Sequence, residues 1–432
     1  MNGTSGNPLT ANPERRPILR HNMTPTTNAT SSDRNRTNQQ PLKTSSAGEE
    51  CYPILVHSHL RWDWVWQRPQ QFLSRLSQRH PVLFVEEPLA TPGLKSATAE
   101  LRDVPGLPNL TVLRTEFPPE LLLDREAVDA EQHRLVTSKL AGPLGRTFRR
   151  PVQWFYDPMA VVPFAGQMNE RAVVYDCMDQ LSQFRGAPAE LIKRERALLA
   201  VADVVFAGGP KIHGAKRLLN KNCHSYGCGV DVQNFGKARL PETAILPELE
   251  KLPRPTLGYF GVVDERMDYE LLGMMADAHP EWSIAIVGPW TKVDPAAFPQ
   301  RSNLHWLGGR DYEQLPGFVK GLDVCLMPFA RNEATEFINP TKALEYMATG
   351  RPIVSTAIED VILQFSEVVD VAHSRAEFIS ACERALAKPN VGAIERGLEL
   401  AGRNSWEAIV ERLKGHIEDV LQTRRELEVC AA

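Results

Sequence analysis

The sequence has no apolar run approaching the roughly 18–20 residues that a membrane helix needs, and neither sign of charge dominates. Lys+Arg 49 against Asp+Glu 53 leaves a formal net charge of -4. That balance excludes whole-chain nucleic-acid binding, which requires a broad basic surface to displace phosphate counterions. Cysteine is sparse: 7 in 432 residues, odd in number and scattered. A disulfide framework is therefore not expected, and a reducing compartment is. No apolar h-region stands near the start, so no secretory signal is expected either. Together these readings predict a cytoplasmic protein. The nearest approach to a metal cluster, CHSYGC with Cys223, His224 and Cys228, lacks a second ligand pair, and no metal is expected there. No GxxxxGK[ST] and no GxSxG occurs, which removes the P-loop and the usual nucleophile elbow. GCGVDV leads into a linker rather than a helix, so it is not a dinucleotide fingerprint.

What is present fits an ordinary globular chain: 43% hydrophobic and 24% charged residues suffice for a sizeable core. Residues 1–50 are dominated by Asn, Thr, Ser, Pro and Arg without apolar periodicity, and are expected to be a disordered tail. From Tyr52 onward short apolar runs alternate with amphipathic stretches. PILVHSH, PVLFVEEP, VQWFY, AVVYD and ADVVFAG read as strands, and Leu191–Val201 and Lys211–Leu219 as helices. After a Pro-bearing segment the pattern restarts with TLGYFGVV, WSIAIVG, NLHWLG, DVCLMPF and RPIVST as strands, and SWEAIVERLKGHIEDVL closes the chain as a helix. The alternation predicts parallel sheets covered on both faces. The expected α/β organisation is thus two doubly wound, Rossmann-like halves, 51–235 and 255–403, joined by a linker at 236–254 and followed by a C-terminal helix, 404–432, that packs back on the first half. In such sheets ligands bind beyond the carboxyl ends of the strands, so a donor and an acceptor would meet in a central cleft.

The strongest local signal is NPTKALEYMATGRPIVST. Asn339 and Pro340 suit a helix start and Gly350 its stop, with Ala343, Leu344, Met347 and Ala348 on a buried face. The helix N-terminus, with Thr341 and the charge of Lys342, is a seat for a diphosphate. Glu345, one turn deeper, is placed to accept hydrogen bonds from a vicinal diol such as ribose. The plainer reading is a surface ion pair between Lys342 and Glu345.

This segment, preceded by YFGVVDERMDYELL, IVGP and LHWLGGRDYEQLPGFVKGLDVCLMPF, resembles the donor half of bacterial GT-B glycosyltransferases of the group 1, family 4-like kind. SHLRWDWVWQRPQQFLSRL, VVYDCMDQLSQF and ADVVFAGG resemble the first half of an envelope and exopolysaccharide subgroup. The resemblance implies transfer of a sugar from a nucleoside diphosphate-sugar to a polysaccharide, lipid-linked or other envelope acceptor, with retention and without a metal. It implies that Glu345 holds the ribose, that Lys342 and Arg266 neutralise the diphosphate, that Gly261 lets its loop approach the phosphates, and that Gly309 and Arg310 lie along the base. The family pattern has a pair of Glu at fixed spacing. At that spacing before Glu345 stands Phe337, with Glu336 one position off, which leaves the donor sugar and the stereochemistry open. No DxD triplet occurs, in keeping with metal-independent transfer.

On the acceptor side, Asp176 and Asp179 in YDCMD and Asp157 in WFYDP are candidate carboxylates for proton transfer or charge support; the alternative is that they cap helices and loops. In HSHLRWDWVWQRPQ, Trp62, Trp64 and Trp66 would stack on sugars while Asp63, Gln67 and Arg68 read hydroxyls or phosphate; alternatively the tryptophans pack in the core. HRLVTSKLAGPLGRTFRR and AKRLLNKN are basic and partly amphipathic, suited to peripheral contact with an anionic leaflet. A sugar-nucleotide epimerase on the same fold and a non-catalytic sugar-nucleotide-binding regulator are the competing readings.

Overall fold

A computed structural model describes residues 50–63, 66–184, 187–291, 293–332, 335 and 341–431. The expected tail, apart from Glu50, lies outside the described residues, as do Trp64, Glu336, Phe337, Asn339 and Pro340. The first half is built on β1 (Ile54–Ser58), β2 (Val82–Glu86), β3 (Leu89–Ala90), β4 (Thr98–Val104), β5 (Leu107–Phe117), β6 (Val152–Phe155), β7 (Ala172–Cys177), β8 (Val204–Ala207) and β9 (Cys223–Ser225). Their order is β3-β5-β2-β1-β6-β7-β8-β9, with β4 antiparallel on β5. The central strands ILVHS, VLFVE and AVVYDC are buried along their whole length, as strands covered on both faces must be.

The second half holds β10 (Thr256–Phe260), β11 (Ser283–Val287), β12 (Leu304–Trp306), β13 (Val324–Met327), β14 (Ile353–Thr356) and β15 (Asp370–Ala372). Their order is β12-β11-β10-β13-β14-β15, parallel throughout. In each sheet the chain reverses its direction of growth beside the first strand, between β1 and β6 and between β10 and β13. Those switch points open crevices at the carboxyl ends, and this fixes where ligands can enter. The architecture is GT-B.

The closing helix, Trp406–Ala431, crosses back to the first half. It buries Trp406, Ile409, Val410, Leu413, Ile417, Val420 and Leu421 in one cluster with Phe72, Leu73 and Leu76 of the helix Arg68–Leu76. Glu407 pairs with Arg75 at 2.7 Å and Arg424 with Asp203 at 2.8 Å. The outgoing and returning chains lie side by side: Val230 N donates to Asn404 O at 3.0 Å and Trp406 N to Val230 O at 3.2 Å.

Two regions differ from the sequence pattern. Residues 98–117, between the strands PVLFVEEP and VQWFY, form the β4–β5 hairpin, whose exposed edge strand TAELRDV mixes polar and apolar residues and so carries no strand signal. Val230, Phe235, Leu246 and Leu249 already belong to the core of the second half, so the segment 236–254 is packed rather than free. Truncating Trp406 to Ala should cost about 3–5 kcal/mol, the range for emptying a large aromatic site. A urea titration of Trp406→Ala followed by tryptophan fluorescence and circular dichroism measures it.

Candidate active site

Gly261, Lys342 and Glu345 come together at the start of the helix Lys342–Thr349. The helix Lys342–Thr349 buries Ala343, Leu344, Tyr346, Met347 and Ala348 and ends on Gly350 at φ 71. Tyr346 Oη accepts from Phe260 N at 3.1 Å, bolting the helix to the carboxyl end of β10. Gly261 follows at φ 145, and a β-carbon there would lie 2.5 Å from Tyr259 Oη and 2.9 Å from Lys342 Cε. Only glycine leaves that space open. Lys342 Nζ stands 5.2 Å from the centre of the Phe260 ring and 3.3 Å from Glu345 Oε2. That carboxylate oxygen is buried and accepts no hydrogen bond among the described residues.

On the opposite sheet the loops after β1, β6 and β7 bring His59, Asp157 and Asp179 to one edge. His59 Nδ1 lies 3.2 Å from Tyr156 O. Asp157 caps the turn Pro158–Ala160, accepting from Met159 N at 2.9 Å. Burial raises the carboxyl pKa of both Asp157 and Asp179, and His59 acts in the opposite direction on each. His59 went unmarked in the sequence because one histidine beside three tryptophans carries no spacing signal.

The two edges face each other. Lys211, in the helix that opens after β8, pairs with Glu359 after β14 at 2.6 Å. Cys228 sits in the seam: burial pushes its thiol pKa up, Asp179 and Glu345 act in the same direction, and a hydrogen bond with Thr341 and the charge of Arg68 oppose them. One thiol thus senses a carboxylate from each half. Cys223, His224 and Cys228 go separate ways, for Cys223 is buried in β9 and His224 stacks on His416 at 3.7 Å. Among the described residues no group of three or more His, Cys, Asp or Glu is arranged to hold a metal ion.

Residues 254–388 match the family model described as Glycosyl transferases group 1. That match lies within the second half of the chain. Over 240 residues the chain is 25% identical to a Bacillus subtilis (strain 168) protein described as a teichuronic acid biosynthesis glycosyltransferase. The match spans 50% of this chain and 59% of that one. Among solved structures, the sucrose-phosphate synthase of Thermosynechococcus elongatus superposes with a TM-score of 0.60 at 17% identity, over 86% of this chain and 100% of that one. The α,α-trehalose 6-phosphate synthase of Burkholderia multivorans gives 0.60 at 14% identity, over 89% and 100%. A trehalose-6-phosphate structure from E. coli bound with UDP-2-fluoro glucose gives 0.57 at 14%, over 86% and 99%.

Set against this group 1 frame, several expected contacts lie elsewhere. Asp176 is inside β7, fully buried, and Arg68 grips it with Nη2–Oδ1 at 2.8 Å and Nε–Oδ2 at 3.2 Å. Neither side chain is open to an acceptor. Trp62 is core, edge-on to Phe84 at 5.2 Å and to Trp66 at 5.8 Å. Trp66 packs against the same cluster. Asp63 pairs with Arg102 at 2.6 Å, and Gln67 N donates to Gln70 Oε1 at 3.1 Å as the helix begins. Trp62 and Trp66 are thus engaged in packing. Arg266 stays at the cleft, yet Asp264 holds it through Nε at 2.9 Å and Nη2 at 2.6 Å, so its charge is compensated locally. Arg310 turns to Glu248 at 3.0 Å, beside the open Gly309.

Asp176 and Asp179 should part company on mutation. Asp176→Asn leaves the Arg68 charge buried without its partner and should cost about 3–5 kcal/mol. Asp179→Asn should be neutral or stabilising at pH 7. A carboxyl whose pKa is raised on folding loses stability as pH climbs above its unfolded value, so the gain from Asn should vanish below about pH 4. Urea titrations at pH 4 and 7 check both signs.

Proposed function

We propose that this protein transfers a glycosyl group from a nucleoside diphosphate-sugar to an envelope polysaccharide or lipid-linked acceptor. The observation that carries the proposal is the convergence of Gly261, Lys342 and the buried Glu345 carboxylate at the start of one helix, opposite Asp179. Glu345 accepts hydrogen bonds from the ribose hydroxyls. Lys342 and the helix N-terminus stabilise the diphosphate, with Gly261 giving close backbone approach. The bond from the anomeric carbon to the diphosphate breaks with its electron pair on the leaving oxygen. A bond from the acceptor oxygen to that carbon replaces it, and the acceptor proton passes to Asp179, whose raised pKa suits it to receive one.

UDP is the first nucleotide to try, because one solved neighbour is named with a UDP-sugar bound and another as UDP-forming. The Bacillus relative's name points to an anionic wall polysaccharide as the acceptor class. Metal independence and retention are part of the proposal; the absence of a DxD triplet supports the former, and retention requires the acceptor oxygen to enter on the face from which the diphosphate leaves.

Losing the ribose contact should lower kcat/KM of Glu345→Ala roughly 10- to 150-fold, the worth of a charged hydrogen bond; Lys342→Ala should act similarly. Asp179→Asn should lower kcat by about 10²–10⁴ while leaving nucleotide binding intact. Initial rates on a panel of donors, with and without EDTA, together with the anomeric coupling constant of the product, measure these. Turnover unchanged in all three variants would contradict the assignment. Donor isomerisation without an acceptor would support the epimerase instead.

A further inference from the structure

Of the two basic segments marked in the sequence, only one exposes apolar side chains. In HRLVTSKLAGPLGRTFRR, Leu135, Val136 and Phe148 are buried, Arg134 pairs with Glu131 and Arg150 with Glu428. In AKRLLNKN the opposite holds: Leu218 is 80% and Leu219 56% exposed, flanked by exposed Arg217 and Lys221. Asn220 Nδ2 donates to Leu199 O at 2.9 Å and Ala202 O at 2.7 Å. That clips this turn to the end of the helix Leu191–Val201, beside Val201, itself 48% exposed. The outer face of the helix continues the strip, because residues four apart share a face. Ile192, 53% exposed, and Arg196 lie on it with Lys193 and Ala197 alongside. Phe184, 58% exposed, precedes the helix on the side of Asp179.

Around these apolar tips stand Lys193, Arg196, Arg217 and Lys221. The neighbouring acids are engaged: Glu195 is buried against Lys216 at 2.7 Å, Asp203 pairs with Arg424 at 2.8 Å, and Glu190 lies 3.4 Å from Arg194. Among the described residues no helix is long and apolar enough to cross a membrane. We infer that this ridge, from Phe184 to Leu219, docks on an anionic lipid bilayer. The tips enter the headgroup layer and the four cations meet lipid phosphates. The ridge starts beside the cleft edge that carries Asp179, so docking would bring a lipid-linked acceptor to that edge. This last step rests on the transferase reading; bilayer binding does not.

The test is flotation of the full chain with phosphatidylcholine vesicles, with and without phosphatidylglycerol. The protein should float with the anionic vesicles and not with the neutral ones. Each cation removed should weaken binding about fivefold, so Arg217→Gln/Lys221→Gln should lose about 25-fold. Leu218→Asp/Leu219→Asp should abolish flotation while keeping the wild-type melting midpoint and nucleotide binding. No flotation, or flotation unchanged in both pairs, would overturn the inference. So would self-association by light scattering that Leu218→Asp/Leu219→Asp removes, since the ridge would then cover a second copy. Normal vesicle binding with no glycosyl transfer would leave the ridge standing and count against the transferase alone.

Discussion

The buried pair of Arg68 and Asp176 is the constraint on which the first half turns. Asp176 stands in the middle of the sheet, and a lone carboxylate there would be untenable. Arg68 answers it from the start of the helix Arg68–Leu76. The same guanidinium also donates to Tyr226 O, and to Gly227 O at 3.1 Å. One residue therefore fixes the loop after β1, the carboxyl end of β7 and the strand-to-loop exit at Tyr226. That exit leads through Cys228 to the crossing at Val230, so the pair also sets where the second half is presented. Asp179, three residues beyond Asp176, is left to face the cleft.

The halves differ in how much of the site they build by themselves. On the second half, Gly261, Lys342 and Glu345 come from one strand end and one helix, locked by Tyr346. Gly288, at φ 151, lets the loop after β11 lie against Gly261, where a β-carbon would sit 1.7 Å from Gly261 O. Such close backbone packing holds the loops after β10 and β11 against each other. On the first half the candidate groups come from three separate loops, a suitable arrangement for an acceptor surface that varies between enzymes on one rigid frame.

The legibility of the sequence followed the same division. Local patterns carried much of the second half: Lys, Glu and Gly at helical spacing define a helix, its buried face and its stop at Gly350 without reference to the rest of the chain. They also carried the parallel strands, whose apolar runs need no partner to be recognised. The acceptor half depends on pairings across the chain. Arg68 and Asp176 stand 108 positions apart, and no spacing rule connects them, so both looked available for substrate. Trp62 looked equally suited to a sugar or a core until Phe84 and Glu86 were placed beside it, the latter accepting from Trp62 N at 3.0 Å. His59 gained meaning only from the adjacency of β1, β6 and β7. The β4–β5 hairpin was hidden because an exposed edge strand need not bury a continuous apolar face.

The most direct test of this account is a crystal structure of the protein grown with UDP at millimolar concentration. The account predicts the diphosphate between Gly261 and the N-terminus of the Lys342 helix, with both ribose hydroxyls on Glu345. Nucleotide bound elsewhere, or a cleft in which the Lys342–Glu345 pair stays closed at saturating UDP, would contradict it.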